Sequence, residues 1–219
     1  MLYLQKLIYT FTVMRIGGVV KQNSGDYPEG NAAVIYVKGC NFRCSFCRSL
    51  VLTQTDMLDR TTDLSQQVVL DFLRLNKNNI SGVVITGGEP TMQSNLPSFL
   101  MHIKGMGLKV KLKTNGTNSE MLDKIISLGL ADYVMMDVKA ALNSEAYERI
   151  TGVVNDALID NVFKSIMLIK NSGIRHEFFT IVLPGIHSDE EIKELESVME
   201  GSKYTLQKIK VETAETIKF

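Results

Sequence analysis

Cysteine is scarce in this sequence: there are three in 219 residues, and all fall within residues 40–47. Thiols so few and so clustered exclude a secreted disulfide scaffold, which needs paired and distributed cysteines. A reducing, cytoplasmic setting is expected. Net charge is absent as well, 24 Lys and Arg being balanced by 24 Asp and Glu. No global field draws the chain to nucleic acid or to an anionic membrane, and neither is expected as a partner. Long like-charge runs, low-complexity tracts and short repeats are missing too. No apolar run reaches the about 20 residues that crossing a bilayer takes. The opening stretch MLYLQKLIYTFTV is interrupted by Gln5 and Lys6, and no small-residue cleavage site follows it. Residues 1–14 therefore read as an extension: an extra edge strand, an amphipathic segment or a misassigned start upstream of Met14. Residues 15–219 suit one domain with a single core.

What is present is a repeating order. Short apolar, β-branched runs at 32–39, 82–88, 109–116, 132–139, 175–185 and 204–211 predict six strands. Between them the apolar spacing predicts helices over 61–76, 94–107, 118–129, 143–172 with a break near Gly152, and 188–201. Thr62 or Asp63 is expected to cap the first of these helices. Six strand–helix units with apolar strands imply an α/β fold, a parallel sheet covered by helices, either doubly wound or a partial barrel. Polar residues and glycines recur at the carboxyl ends of the strands: Gly39-Cys40, Thr86-Gly87-Gly88-Glu89, Thr114-Asn115-Gly116, Asp137 and Lys139, and Pro184-Gly185. In such folds ligands bind at that edge, so five segments point to one site.

The segment VKGCNFRCSFCRSL holds Cys40, Cys44 and Cys47. Thiolates are soft ligands for iron, zinc or copper(I). One reading is a zinc site completed by a histidine, with His102, His176 and His187 as the choices and His187 nearest the right edge. The other is a 4Fe–4S cluster that keeps one iron free of protein ligands, since ordinary clusters take four cysteines. Further along, GGEP at 87–90 lets backbone approach a ligand, and its carbonyls and the Glu89 carboxylate can accept from an ammonium.

The pattern Cys40-x-x-x-Cys44-x-x-Cys47, with Phe46 before the last cysteine and GGEP at the next strand end, resembles the radical S-adenosylmethionine (SAM) enzymes. With DYP at 26–28, ITGGEPTMQ, VKLKTNGTN, DYVMMDVKA and EFFTIVLPGIH, it looks like the activating proteins of anaerobic ribonucleotide reductases. The resemblance runs from about Ile16 to Lys210. It implies a partial (β/α)6 barrel, a 4Fe–4S cluster and SAM as cofactors, and reductive cleavage of SAM to a 5′-deoxyadenosyl radical. That radical takes a glycine Cα hydrogen in a partner glycyl radical enzyme, foremost anaerobic ribonucleotide reductase, with a flavodoxin- or ferredoxin-like electron donor. It assigns Cys40, Cys44 and Cys47 to three irons, and Gly87, Gly88 and Glu89 to the SAM amino group. Phe46 falls beside the adenine, with Val182 to Gly185 on the adenosine side. Thr114, Asn115, Asp137 and Lys139 contact SAM or position the target loop, or serve as turn and cap residues, Asn-Gly being a turn signal too.

This chain departs from those relatives at two places. They commonly carry His-Asn where it has Arg48-Ser49, and Asp where it has Lys113, which reverses the charge. The alternative activity is that of a small-molecule radical SAM enzyme such as a 7-carboxy-7-deazaguanine synthase. A non-enzymatic iron–sulfur or zinc carrier would not need GGEP.

Overall fold

The computed structural model describes residues 14–23, 26–54, 58 and 62–208. The readings made for residues 1–13 and 209–211 lie outside them. One sheet of seven strands runs in sequence order: β1 (Ile16–Asn23), β2 (Ala32–Val37), β3 (Gly82–Gly87), β4 (Lys109–Thr114), β5 (Tyr133–Asp137), β6 (Arg175–Val182) and β7 (Tyr204–Lys208). β2 to β7 are parallel neighbours, and β1 pairs antiparallel with β2. The sheet stays open, with β1 and β7 at its edges. This is the expected partial barrel with one antiparallel strand added. The sequence reading had not placed a strand at β1, because Gly17-Gly18 breaks the run of β-branched residues.

The helices are α1 (Leu50–Thr53), α2 (Gln66–Asn76), α3 (Leu96–Gly105), α4 (Ser119–Ser127), α5 (Ser144–Thr151), α6 (Asp156–Asn171) and α7 (Asp189–Val198). Each strand turns alternate residues to opposite faces. Val83, Ile85, Val110, Leu112, Val134 and Met136 meet helix residues such as Phe99, Leu100, Ile103 and Ile166 in one core. Each such side chain, fully buried, contributes about 1.5–3 kcal/mol. α7 begins in a reciprocal cap, the Ser188 hydroxyl accepting from Glu191 N–H and Glu191 accepting from Ser188 N–H. α2 starts later than expected, after Ser65, because Asp63 is engaged elsewhere as an ion-pair partner of Lys38 and Arg15.

The concave face is polar as well as apolar. Tyr27, from the β1–β2 connection, packs on Ala32, Val34 and Val84. Beyond it, Glu177 on β6 binds Lys111 at 3.0 Å and Lys203 at 2.6 Å. Asp132 takes Lys104 at 2.6 Å, Lys109 at 3.3 Å and the Val110 N–H at 2.8 Å. Burial alone would raise both carboxyls, but their partners win: Lys104, Val110 and Lys109 hold Asp132 low, and Lys203 and Lys111 hold Glu177 low. Asp63 and Glu191 also lie below the ordinary range, whereas Glu89 is pushed up. A carboxyl with a lowered folded pKa leaves the unfolded chain binding more protons, so its stabilisation is present above about pH 4 and is lost as pH falls through the folded values. The urea midpoint is therefore expected to drop between about pH 4 and pH 2.5. A midpoint that holds level to pH 2.5 would show that these pairs contribute nothing.

Candidate active site at the carboxyl edge of the sheet

Because β2 to β7 are parallel and sequential, the segments after their carboxyl ends share one edge. There a cleft of about 330 Å³ opens. Eleven of the residues assigned to the site in the sequence line it: Cys40, Cys44, Cys47, Phe46, Gly87, Gly88, Glu89, Thr114, Asn115, Asp137 and Lys139. Both departures, Arg48-Ser49 and Lys113, line it too. The sequence reading missed Met135, Phe179, Ile181 and Gln207, which face the cleft from β5, β6 and β7. Val182 to Gly185, expected beside the adenosine, are not among its lining residues. The two-residue period explains the first result and the absence of Val182: Phe179 and Ile181 turn to the concave face, which puts Val182 on the other, while residues 183–185 lie beyond the strand.

The cysteine loop leaves β2 and returns through α1. Cys44 is buried, while Cys40 and Cys47 are partly exposed. Burial pushes the Cys40 thiol up to about 12 and the Cys44 thiol up to about 11. Loading a metal centre here therefore displaces those thiol protons. Cys40 Sγ accepts from the Phe42 N–H and Cys47 Sγ from the Ser49 N–H, each at 3.4 Å, so the loop's own amides begin to solvate the sulfurs.

The glycine turn packs against this loop at backbone distance. Gly88 N–H donates to the Val37 carbonyl and Glu89 N–H to the Gly39 carbonyl, both at 2.8 Å. A Cβ on Gly88 would run into the Gly39 carbonyl, and Gly87 has a φ of 110°, a region glycine occupies freely. The next residue, Glu89, is 1% exposed. Its Oε1 accepts from Thr91 N–H at 3.0 Å, Thr91 Oγ1 at 2.6 Å and Thr114 Oγ1 at 2.6 Å, and its Oε2 from Asn115 N–H at 2.7 Å. Burial pushes the carboxyl up, and these donors pull it back. Glu89 thus fastens the end of β3 to the end of β4, with only Oε2 keeping an acceptor position to offer a ligand.

Thr114 and Asn115 are similarly occupied. Thr114 Oγ1 accepts from Gly116 N–H at 3.1 Å, and the Asn115 amide donates to Asn41 Oδ1 at 2.9 Å, tying β4 to the cysteine loop. Asp137 and Lys139 form an ion pair at the back of the cleft, and the Lys139 ammonium sits 5.6 Å from the Phe46 ring centre. Burial works against the charged ammonium, but Asp137, Cys44 and Cys40 outweigh it and raise the Lys139 pKa. Asp137 Oδ1 is buried without a hydrogen-bond partner among the described residues. Lys113 pairs at 2.6 Å with Asp26, the first residue of the DYP segment, so two separately noted sequence features are one contact.

None of the three histidines reaches the thiols. His187 Nδ1 accepts from Leu183 N–H at 3.0 Å and its Nε2 lies 2.9 Å from the Lys139 carbonyl, which uses both ring nitrogens. His102 bonds the Ser98 carbonyl, and His176 bonds the Ile174 carbonyl and Ser202. Among the described residues the donor set that remains is three soft thiols, lining one cleft with the glycine turn and with Asp137, whose Oδ1 has no partner there. That set fits an iron–sulfur cluster with an open position and a polar ligand beside it.

An open, mostly parallel sheet with a three-thiol loop at its carboxyl edge defines an α/β protein of the partial-barrel class with its candidate site at the strand ends. The chain belongs to the radical SAM superfamily, whose sequence profile matches residues 34–198. Membership implies a 4Fe–4S cluster and SAM. Among relatives, it is 29% identical over 206 residues to a Methanocaldococcus jannaschii protein provisionally named as a glycyl-radical enzyme activating enzyme, covering 91% of this chain and 81% of that one. It is 28% identical over 166 residues to the GTP 3′,8-cyclase of Helicobacter pylori, covering 74% of this chain but only half of the cyclase. In structure it resembles QueE from Escherichia coli, with a TM-score of 0.53 and 17% identity over 90% of this chain and 84% of that one. Among the described residues no helix is long and apolar enough to cross a membrane.

Proposed function

We propose that this radical SAM enzyme activates a glycyl radical enzyme, foremost an anaerobic ribonucleotide reductase. The observation that carries the reading is similarity over 91% of this chain to the Methanocaldococcus jannaschii protein provisionally named as a glycyl-radical enzyme activating enzyme, of which this chain spans four fifths. Cys40, Cys44 and Cys47 would hold the cluster, and the backbone of Gly87 and Gly88, with Glu89 Oε2, would receive the amino end of SAM. When bound, the two cofactors supply an organic radical able to take a hydrogen atom from carbon. Phe42, Phe46, Met135, Phe179 and Ile181 give the cleft apolar walls that keep water from that reaction. Lys139, held by Asp137, places a fixed positive charge beside Phe46, and Asp137 Oδ1 offers an acceptor to a ligand. Thr114 and Asn115 keep the strand ends in place. The partner side of the reading comprises a glycyl radical enzyme and a flavodoxin- or ferredoxin-like donor.

A second reading, a small-molecule enzyme such as a 7-carboxy-7-deazaguanine synthase, draws on the similarity to the GTP cyclase over 74% of this chain. One experiment separates the two. After anaerobic reconstitution, iron and sulfide are counted, and the reduced protein is mixed with SAM and a candidate reductase. About four irons per chain, release of 5′-deoxyadenosine and a glycyl-radical EPR doublet in the reductase are expected. Stoichiometric zinc in place of iron would sink both readings. Turnover of a carboxylated pterin with no doublet in any partner would leave only the second.

A further inference from the structure

Lys38, two residues before Cys40, is 0% exposed. Its Nζ lies 2.5 Å from Asp63 Oδ1 and 3.4 Å from the Leu58 carbonyl. Asp63 also accepts from Arg15 Nε at 3.0 Å. Lys38 precedes and Asp63 follows the stretch that holds all three cysteines, of which residues 39–54, 58 and 62 are described. Backbone bonds converge on the same point: Lys38 N–H donates to the Arg15 carbonyl at 2.8 Å, its carbonyl accepts from Gln93 Nε2 at 2.8 Å, and Gly39 N–H donates to the Leu52 carbonyl at 2.7 Å. Gln93 closes the circuit by accepting from the Arg15 N–H at 3.2 Å. Gly17 on β1 has no side chain, and the space goes to Leu52 and the stem of Lys38.

A methionine in place of Lys38 would fill the same space with no charge to desolvate. Taking an ion pair out of water costs about what the attraction returns, so burying one adds little stability. Lys38 is fully buried while Asp63 stays 37% exposed, so it is the lysine's charge that must be answered, and only the closed arrangement answers it. The cysteine loop needs such selection. Between Cys40 and Gln54 only Phe42 and Cys44 are buried, and α1 buries none of its residues, so apolar packing fixes the loop weakly.

We propose that the Lys38–Asp63 ion pair is a staple closing the cysteine loop, with Lys38 a positioning residue that sets the spacing of the three thiols. Its effect on thiol spacing stands by itself. Its effect on cluster retention rests on the radical SAM reading.

The chain has no cysteines outside the loop, so Ellman's reagent, 5,5′-dithiobis(2-nitrobenzoate), reports on the loop alone in the metal-free protein. Wild type is expected to show a slow phase from buried Cys44. In Lys38→Met that phase should quicken at least tenfold, with the urea midpoint close to wild type, because Asp63, 37% exposed, keeps Arg15 as its partner. After reconstitution, a ferrous chelator should strip iron at least tenfold faster. Should Lys38→Met fail to fold, Lys38→Met with Asp63→Asn carries the test, since neither charge of the pair remains. Wild-type thiol kinetics and wild-type iron release in the double variant would overturn the staple. So would thiol reactivity that rises only in step with a falling urea midpoint, since a merely structural residue would give that result. A wild-type chain that takes up no iron would defeat the radical SAM reading while the thiol kinetics still decide the staple.

Discussion

Glu89→Ala is expected to unfold the protein more readily as well as to inactivate it. The substitution leaves two backbone N–H groups and two threonine hydroxyls without their acceptor in a site where the carboxylate is 1% exposed. Removing one side of a buried, hydrogen-bonded charge costs about 3–5 kcal/mol. For a chain of this size that lowers Tm by roughly 6–20 °C. Glu89→Gln keeps one carbonyl oxygen but turns an amide N–H₂ toward donors, principally Asn115 N–H, at a cost of about 1–2 kcal/mol. The threonine hydroxyls can rotate to accept from that amide, and Asn115 N–H cannot. Thermal melts of both variants, with SAM cleavage measured well below the lower Tm, separate the two roles of this residue. If the alanine variant melts with wild type, Glu89 does not fasten β3 to β4. If folded Glu89→Gln binds SAM as wild type does, the ammonium is held by the backbone of the glycine turn.

Gly88→Ala is expected to have the second largest effect. Its Cβ would meet a backbone carbonyl, Gly39, and backbone cannot swing aside as a flexible side chain does. The hydrogen bonds from Gly88 to Val37 and from Glu89 to Gly39 hold the two chains at that distance. The strain is worth about 3 kcal/mol, and relieving it moves the residue next to Cys40. A loss of at least half the reconstituted iron is therefore expected together with a lower urea midpoint. Gly105→Ala is the control. It ends α3 with nothing within 4 Å of the new Cβ, and is expected to leave iron unchanged and add about 0.4–1 kcal/mol of stability. Equal iron content in the two variants would show that close approach at Gly88 is unnecessary.

The parallel strands were legible because each is a short β-branched run with glycine or polar residues at its carboxyl end, and those ends carry most of the site. β1 was not, since its glycines remove the alternation that marks a strand, and its pairing with β2 is what makes it one. The helix start near residue 62 was misplaced for a related reason. Asp63 is a good cap by residue type, but Lys38 and Arg15 compete for it from distant positions. Met135, Phe179, Ile181 and Gln207 carried a usable signal, since they occupy the concave-facing positions of their strands. Which face of a strand is concave, however, follows from how the sheet curls.

The soft character of the donor set was determined by the sequence alone. Three thiols at a spacing of three and two residues on one loop are a local fact, true in any fold that presents the loop. The tertiary structure decided the tasks of the charged residues around them. Glu89 binds a strand end rather than standing free, Lys113 is answered by Asp26, and Lys38 is answered by Asp63 across the loop it brackets. Such pairings join residues far apart in the chain and leave no periodic trace. Burial of Glu89 and Lys38 excludes water from those groups and makes each find a partner within a few ångströms.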